Sequence, residues 1–215
     1  MDNLRLRMAS PADAPDILAI YAPYIATPTT FEYQTPSPEA FAARVAGILA
    51  FYPYVVLEKE GQLIGYGYAA RYRERAAYQW SAELSVYIRQ DHLGHGHGGK
   101  LYAALIALTT AMGMRTLYAT VVLPNPGSLR MQERFGFRLS GIQEKTGYKC
   151  GAWRDTALYE KHVGDFTSPP QPPISWQDLK EEDIRAALVL PLVSHTNSKI
   201  LQDESVSGFT IDCSN

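Results

Sequence analysis

The fold is decided by the stretch Tyr87-Ile88-Arg89-Gln90-Asp91-His92-Leu93-Gly94-His95-Gly96-His97-Gly98-Gly99-Lys100. Its pattern predicts a strand that runs into a glycine-rich turn and then into a helix. Such a turn presents backbone N–H groups and a helix N-terminus to an anion. Glycine also permits a close ligand approach that a Cβ would block. The segment therefore predicts a phosphate-binding loop.

The common nucleotide-binding motifs are absent from this loop. Lys100 is followed by Leu101 and not by Ser or Thr, so the loop is not the P-loop of nucleotide hydrolases. The glycines also lack the dinucleotide-binding pattern, which needs an acidic residue about 20 positions further on in a parallel βαβ unit. Nucleotide hydrolysis and dinucleotide binding are therefore disfavoured as functions.

Upstream of the loop the sequence predicts one helix and three consecutive antiparallel strands. Ser10-Pro11-Ala12-Asp13 is typical of a helix start, and apolar residues follow it on one helical face. Runs rich in β-branched and aromatic residues predict strands at residues 54–57, 63–68 and 78–88. Lys59-Glu60-Gly61 predicts a hairpin turn between the first two.

Downstream elements complete an α/β (α+β) fold with a mixed sheet. Leu101, Leu105, Leu108 and Met112 form one apolar face of a helix, and Gly113 ends it. The predicted elements are a helix at 98–112, a strand at 117–123, a short helix capped at 125–126 and ending at 136, and closing strands from 137 and at 157–162.

Composition and charge divide the 215-residue chain. Hydrophobic residues make up 46% and charged residues 20%, which is typical of a globular protein. Residues 165–215 hold eight acidic and three basic side chains, a net charge of −5, which leaves +3 for residues 1–164. We predict a catalytic domain at 1–164, a proline-rich linker at 165–174 and an acidic extension at 175–215. The extension should form a short helix to about residue 190 and then a loose tail.

The same features predict a cytoplasmic protein. No apolar run approaches the ~20 residues of a membrane span, and the N-terminus lacks the apolar stretch of a signal peptide. Cys150 and Cys213 have no zinc-ligand spacing and are expected to be free thiols. We expect no metal, and the net charge of −2 disfavours nucleic acid as a partner.

The loop and the segment Asn125-Pro126-Gly127-Ser128 up to Gly136-Phe137 together resemble the GNAT superfamily of acetyl-CoA-dependent N-acetyltransferases. The resemblance implies the GNAT fold, with a mostly antiparallel sheet and flanking helices, and acetyl-CoA as co-substrate. Leu93 stands where the family usually has Arg or Gln. The implied cofactor-binding residues are Val86, Tyr87, Ile88, Gly94, His95, Gly96, His97, Gly98, Gly99, Asn125 and Ser128.

Further motifs over about residues 4–163 resemble the subgroup that acetylates phosphinothricin, methionine sulfone and methionine sulfoximine. They are Thr30-Phe31-Glu32, Tyr52-Pro53-Tyr54-Val55-Val56, Gly65-Tyr66-Gly67-Tyr68-Ala69, Arg75-Ala76-Ala77-Tyr78-Gln79-Trp80, Glu83-Leu84-Ser85-Val86-Tyr87 and Gly147-Tyr148-Lys149-Cys150-Gly151-Ala152-Trp153-Arg154-Asp155. The resemblance also implies a homodimer. The predicted substrate-binding residues are Phe31, Arg73, Arg75, Ala76, Ala77, Tyr78 and Lys149.

Glu83 is the candidate general base, because an amine that attacks a thioester must lose a proton. An apolar strand around Glu83 would raise its pKa towards the working range. The resemblance assigns it the same task and implies oxyanion donors on the backbone near residues 86–88. Gln132 occupies the position where the family carries a general acid, and glutamine cannot protonate a thiolate. Arginine suits a carboxylate or phosphinate, so the acceptor should be a small anionic amino acid.

Other interpretations of these residues stay open. Glu83 could be a structural carboxylate, and Arg73 and Arg75 a solvated edge. Phe31 could belong to the core. The loop histidines could bind a metal, although a glycine turn gives them no rigid ligand geometry, and Cys150 lacks an evident catalytic partner. Two other functions remain possible: a non-catalytic acyl-CoA-binding module and a peptide N-terminus acetyltransferase.

Overall fold

Seven strands form one sheet in a computed structural model, which describes residues 3–167 and 169–189. The strands are β1 (Leu4–Met8), β2 (Tyr54–Lys59), β3 (Gln62–Arg71), β4 (Ser81–Ile88), β5 (Thr116–Val122), β6 (Arg138–Lys149) and β7 (Ala152–His162). Their order across the sheet is β1-β2-β3-β4-β5-β7-β6. Only the β4–β5 pair is parallel among the described strands, so the predicted mixed, mostly antiparallel sheet is confirmed.

Helices cover both faces of the sheet. They are α1 (Ala14–Ile25), α2 (Pro38–Leu49), α3 (His97–Ala111), α4 (Pro126–Arg134) and α5 (Glu181–Leu188). One apolar cluster joins α1 and α2 to one face, and a second joins α3 and α5 to the other. A sheet with both faces buried needs apolar residues in long runs, which explains the hydrophobic β2 and β3 sequences.

Strand β4 has one face against α3 and the other towards α1. Ala82, Leu84 and Ile88 belong to the cluster beneath α3. Successive side chains of a strand point to opposite faces, so Glu83 and Tyr87 lie on the α1 side. The ring of Tyr87 meets those of Tyr21 and Tyr24 of α1 at 5.1 and 5.2 Å. The carboxylate of Glu83 is therefore presented on the face opposite α3.

Two tight turns set the register of the hairpins. Glu60 and Gly61 have φ of 52° and 82°, and Cys150 and Gly151 have 52° and 71°. Two successive positive φ angles match the twist of the flanking strands, which is the usual geometry of a two-residue hairpin. The predicted hairpin at residues 59–61 is confirmed, and the second turn positions Lys149 at the end of β6.

Most predicted elements are present, but two predictions need correction and two elements were not predicted. The strand predicted from Tyr78 begins at Ser81, because Ala76–Tyr78 forms a 3-10 turn. Ser10 precedes a 3-10 turn and not α1, which begins at Ala14. Two elements were missed, β1 and α2. The signal for α2 was present, since Ser37 caps it and Pro38 is its first residue.

The start of the predicted C-terminal extension packs at the ends of α2 and α3. The indole Nε1 of Trp176 donates to Leu49 O at 2.8 Å, and Ile174 N donates to Met112 O at 2.9 Å. Leu179 and Ala187 are buried in the cluster with α3. The single predicted helix is instead a 3-10 turn, Trp176–Asp178, followed by α5. The predicted loose tail and Ser168 of the linker lie outside the described residues.

Cys150 is disulfide-bonded, so the prediction that it is a free thiol is wrong; Cys213 lies outside the described residues. Within residues 3–167 and 169–189, no helix has both the length and the apolar character needed to span a bilayer.

Candidate active site

The two parallel strands of the sheet separate at Glu83. β4 and β5 pair only at Ser81↔Thr116, Ala82↔Leu117 and Glu83↔Tyr118 within the described chain. β5 continues to pair with β7 as far as Val122, so it turns away from β4. Backbone groups of β4 beyond Glu83 that face β5 are left without a strand partner there. We call the gap between the diverging strands β4 and β5 the wedge. It offers backbone hydrogen-bond donors to a ligand that enters between the strands.

Glu83 lies at the closed end of the wedge. Its side chain is half-buried, and Thr120 Oγ1 of β5 donates to Glu83 Oε1 at 2.5 Å. The hydrogen bond fixes one carboxylate oxygen and orients the group across the opening. A positioned carboxylate at such a place can accept a proton from an amine.

Tyrosines lie near Glu83 around the wedge. Tyr68 lies opposite Ser85 in the β3–β4 register, and burial raises the pKa of its phenol. The ring of Tyr72 stacks on Tyr118 at 3.9 Å, next to Glu83. Burial raises the pKa of Tyr118 as well, so the phenols of Tyr68 and Tyr118 stay neutral as hydrogen-bonding groups. Sequence reasoning missed Tyr68, Tyr72, Tyr118 and Thr120, because only the strand register brings them to Glu83.

The glycine loop lies between β4 and α3. Gly94 and Gly96 have φ of 80° and 74°, a conformation that side chains rarely adopt, and a Cβ at either would meet no described atom within 4 Å. The loop is therefore open where those Cβ atoms would be, and His97 begins α3. This geometry fits a diphosphate approaching backbone N–H groups at a helix N-terminus.

Gly98 and Gly99, which follow in α3, have side-chain neighbours that Gly94 and Gly96 lack. A Cβ on Gly98 would lie 3.6 Å from Met131 Sδ, and one on Gly99 would lie 3.5 Å from the ring of Phe135. These are ordinary contact distances, so a Cβ would fit at either position, and both glycines lie where α3 faces α4 and Phe135. Direct cofactor contact by Gly98 and Gly99 remains a prediction.

Asn125 caps α4 as predicted. Its Oδ1 accepts a hydrogen bond from Ser128 N at 3.1 Å. The cap holds the first turn of α4 beside the open end of the wedge. Contacts of Asn125 and Ser128 with pantetheine remain a prediction, compatible with the cap.

Gln132 is buried, with 3% of its surface exposed, and its Oε1 accepts a hydrogen bond from Tyr102 Oη at 2.6 Å. Burial raises the pKa of Tyr102, which stays a neutral donor. The pair links α4 to α3. The structure thus gives Gln132 an evident structural role, and its catalytic role remains a prediction.

Phe31 and Lys149 meet in the loop that follows α1. A Cβ on Gly147 of β6 would lie 2.6 to 2.8 Å from three atoms of the Phe31 ring, so the ring lies directly on this glycine. Lys149 Nζ donates to Thr30 O at 2.6 Å and to Glu32 O at 2.7 Å. Burial lowers the pKa of Lys149. Lys149 therefore fixes the loop that carries Phe31.

The predicted arginines lie beside the turn that leads into β4. The guanidinium of Arg73 lies 5.1 Å from the ring centre of Tyr72 and 5.3 Å from that of Tyr78. Arg75 and Ala76 are exposed, as is Ala77 in the same turn. A cavity of about 310 Å³ opens there, lined by Phe51, Tyr52, Arg71, Arg73, Glu74, Arg75, Ala76, Gln79 and Pro173. Arg73 lies against Tyr72, whose ring stacks on Tyr118, and Tyr118 is the register partner of Glu83.

No group of three or more His, Cys, Asp or Glu side chains that could hold a metal ion occurs in the described part of the chain.

Comparison with known proteins decides the family. Residues 6–158 match the family described as Acetyltransferase (GNAT) domain. The chain belongs to the GNAT acetyltransferase family. Membership confirms the predicted fold class and makes the protein an acyltransferase. The family match spans the wedge, the glycine loop and the tyrosines near Glu83, which are Tyr68, Tyr72 and Tyr118.

Named relatives are similar over most of their length. The chain is 40% identical over 169 residues to phosphinothricin N-acetyltransferase of Alcaligenes faecalis, which covers 76% of this chain and 86% of that protein. It is 32% identical over 171 residues to the L-methionine sulfoximine/L-methionine sulfone acetyltransferase of Pseudomonas paraeruginosa, covering 77% of this chain and 98% of that protein. The predicted subgroup resemblance is confirmed.

A solved structure supports the same conclusion. The GNAT phosphinothricin acetyltransferase of Sinorhizobium meliloti, in complex with acetyl-CoA, superimposes with a TM-score of 0.77 at 34% identity. The match covers 82% of this chain and 97% of that one.

Proposed function

We propose that the protein transfers the acetyl group of acetyl-CoA to the α-amine of a small anionic amino acid, with Glu83 as general base. Phosphinothricin, methionine sulfone and methionine sulfoximine are the acceptors we favour, following the names of the relatives. The observation that carries this proposal is the carboxylate of Glu83, which Thr120 orients at the point where β4 and β5 separate.

Acetyl-CoA fits the residues at the open end of the wedge. Gly94 and Gly96 leave room at the helix N-terminus for the diphosphate, and a relative binds the same molecule. Asn125 and Ser128 stand at the start of α4, where the pantetheine arm would run. When bound, acetyl-CoA supplies the thioester carbonyl that the amine attacks.

Glu83 accepts a proton from the acceptor nitrogen, directly or through one water, as the N–C bond forms. Backbone N–H groups of β4 near Val86 and Ile88, which lack β5 partners in the described chain, supply hydrogen bonds to the developing oxyanion. The C–S bond then breaks and CoA leaves as a thiolate. A thiol pKa near ~8.5 makes this a tolerable leaving group, which solvent can protonate. Because solvent can supply that proton, neither Gln132 nor Tyr102 needs to donate it, and the Tyr102 hydroxyl already donates to Gln132 Oε1.

The charge of the acceptor follows from the surrounding cations. Arg73 and Arg75 precede β4, and Arg73 lies over Tyr72, which stacks on Tyr118, the register partner of Glu83. A guanidinium pairs well with a carboxylate or a phosphinate. Phe31, held over Gly147, supplies an apolar wall for the remainder of a small side chain.

The test is release of CoA thiol from acetyl-CoA with a panel of acceptors. We expect phosphinothricin, methionine sulfone and methionine sulfoximine to support turnover, and spermidine and short peptides to be poor. Preference for peptides would identify an N-terminus acetyltransferase. Acetyl-CoA binding without thiol release over the whole panel would identify a non-catalytic binding module, and either result would refute the proposal.

A further inference from the structure

Three histidines converge at the start of α3. The rings of His92 and His97 are 6.0 Å apart, and those of His95 and His97 are 5.7 Å apart and nearly parallel. His92 Nε2 accepts a hydrogen bond from Arg89, and His95 Nδ1 donates one to Leu93 O. We call His92, His95 and His97 the loop histidine cluster.

His97 is the unusual member of the loop histidine cluster. Only 6% of its surface is exposed, and its Nδ1 is buried without a hydrogen-bond partner in the described chain. Buried polar atoms normally have a partner, so an orphaned one at a ligand-binding loop calls for an explanation. His97 is also the first residue of α3, next to the open side of Gly96.

Positive charges and burial keep His97 neutral before a ligand arrives. Burial, first, and then His95, His92, Lys100 of α3 and Lys59 of β2 lower its pKa. Arg89 adds a cation beside His92, and Asp91 pairs with that guanidinium. An incoming diphosphate would reverse this balance, because a nearby anion stabilises imidazolium.

We propose that binding of the CoA diphosphate at the glycine loop brings a proton from solvent onto the loop histidine cluster, centred on His97. Affinity for CoA then falls as the pH rises through neutrality. This inference rests on the co-substrate site of the proposed function but not on its chemistry, since the protonated imidazole lies at the phosphates and takes no part in acetyl transfer.

The sign of the effect follows from linkage. The free protein holds His97 neutral, and the complex holds it charged, so binding consumes a proton. Lowering the pH supplies that proton and tightens binding, by at most about tenfold per pH unit for one proton. The effect should span the interval from the lowered pKa of His97 in the free protein, below the ordinary imidazole value of ~6.5, up to its raised pKa in the complex.

The test is calorimetric titration with dephospho-CoA in two buffers of different ionisation enthalpy. This probe keeps the diphosphate but lacks the 3′-phosphate monoester, whose own titration near pH ~6 would confuse the proton count. Wild-type protein should take up a fraction of a proton near neutral pH. His97→Gln should abolish the uptake and flatten the pH dependence of the dissociation constant, and His162→Gln should leave both unchanged.

A second measurement needs no variant. The ring signals of His97, followed by NMR in wild-type protein, should titrate at higher pH when dephospho-CoA is bound. Equal proton uptake in wild-type and His97→Gln, no uptake in wild-type, or an unshifted His97 titration would each overturn the inference. Proton uptake without acetyl transfer to any acceptor would support it and refute only the proposed function.

Discussion

Alanine at Gly147 should damage the acceptor site and leave the acetyl-CoA site intact. The added Cβ would lie 2.6 to 2.8 Å from three ring atoms of Phe31, whereas carbon atoms prefer ~3.5–4.0 Å. The ring must therefore retreat by about 1 Å, and overpacking of this size costs about 1–3 kcal/mol. Since 1.4 kcal/mol corresponds to tenfold in an equilibrium, we expect acceptor KM to rise by roughly tenfold.

The assay is steady-state thiol release with phosphinothricin, varying each substrate in turn. Gly141→Ala is the matched control, because it lies on the same strand and its Cβ would meet no described atom within 4 Å. The Gly141 variant should behave as wild type. An unchanged acceptor KM and melting temperature in Gly147→Ala would refute the position that we assign to Phe31.

Three further predictions concern stability. Trp176→Phe removes the half-buried indole hydrogen bond to Leu49 O, which should lower the free energy of unfolding by about 1 kcal/mol. A thermal scan should show a melting temperature lower by a few degrees. Gln132→Leu should cost about 1–3 kcal/mol in urea unfolding because it orphans the Tyr102 hydroxyl, while the double variant with Tyr102→Phe should recover much of that loss. The Arg7 hydrogen bond lowers the pKa of Asp13 to about 2, so this carboxylate stabilises the fold above its ordinary pKa and loses the effect as the pH falls towards 2. Arg7→Met should remove about 2 kcal/mol at neutral pH and less near pH 2; equal losses at both would contradict the assignment.

Local signals in the sequence predicted the parts of the site that depend on local structure. The glycines of residues 94–99 and the Asn125 cap act within a few residues of themselves, so their pattern alone predicts a loop and a helix start. Glu83 was identified by resemblance, and its apolar strand is β4. Alternation along the strand then explains why its carboxylate faces away from α3.

Contacts between distant segments could not be predicted in this way. Acceptor binding by Lys149 stays a prediction, and its hydrogen bonds to the carbonyls of Thr30 and Glu32, more than a hundred residues away, had no sequence signal. Tyr118 lies beside Glu83 because β4 and β5 pair in that register. Trp176 was placed in a separate extension, and its indole bonds the end of α2. Each depends on the folded topology and leaves no pattern in the neighbouring sequence.

The most direct test of the account is the turnover of Glu83→Gln. Glutamine preserves the size of the side chain and can keep the Thr120 hydrogen bond, but it cannot accept the amine proton. We predict a loss of ~10²- to 10⁴-fold in kcat for thiol release with phosphinothricin, with the dissociation constant for CoA unchanged by calorimetry. Turnover within a few-fold of wild type, or a loss explained by weaker substrate binding, would contradict Glu83 as the general base.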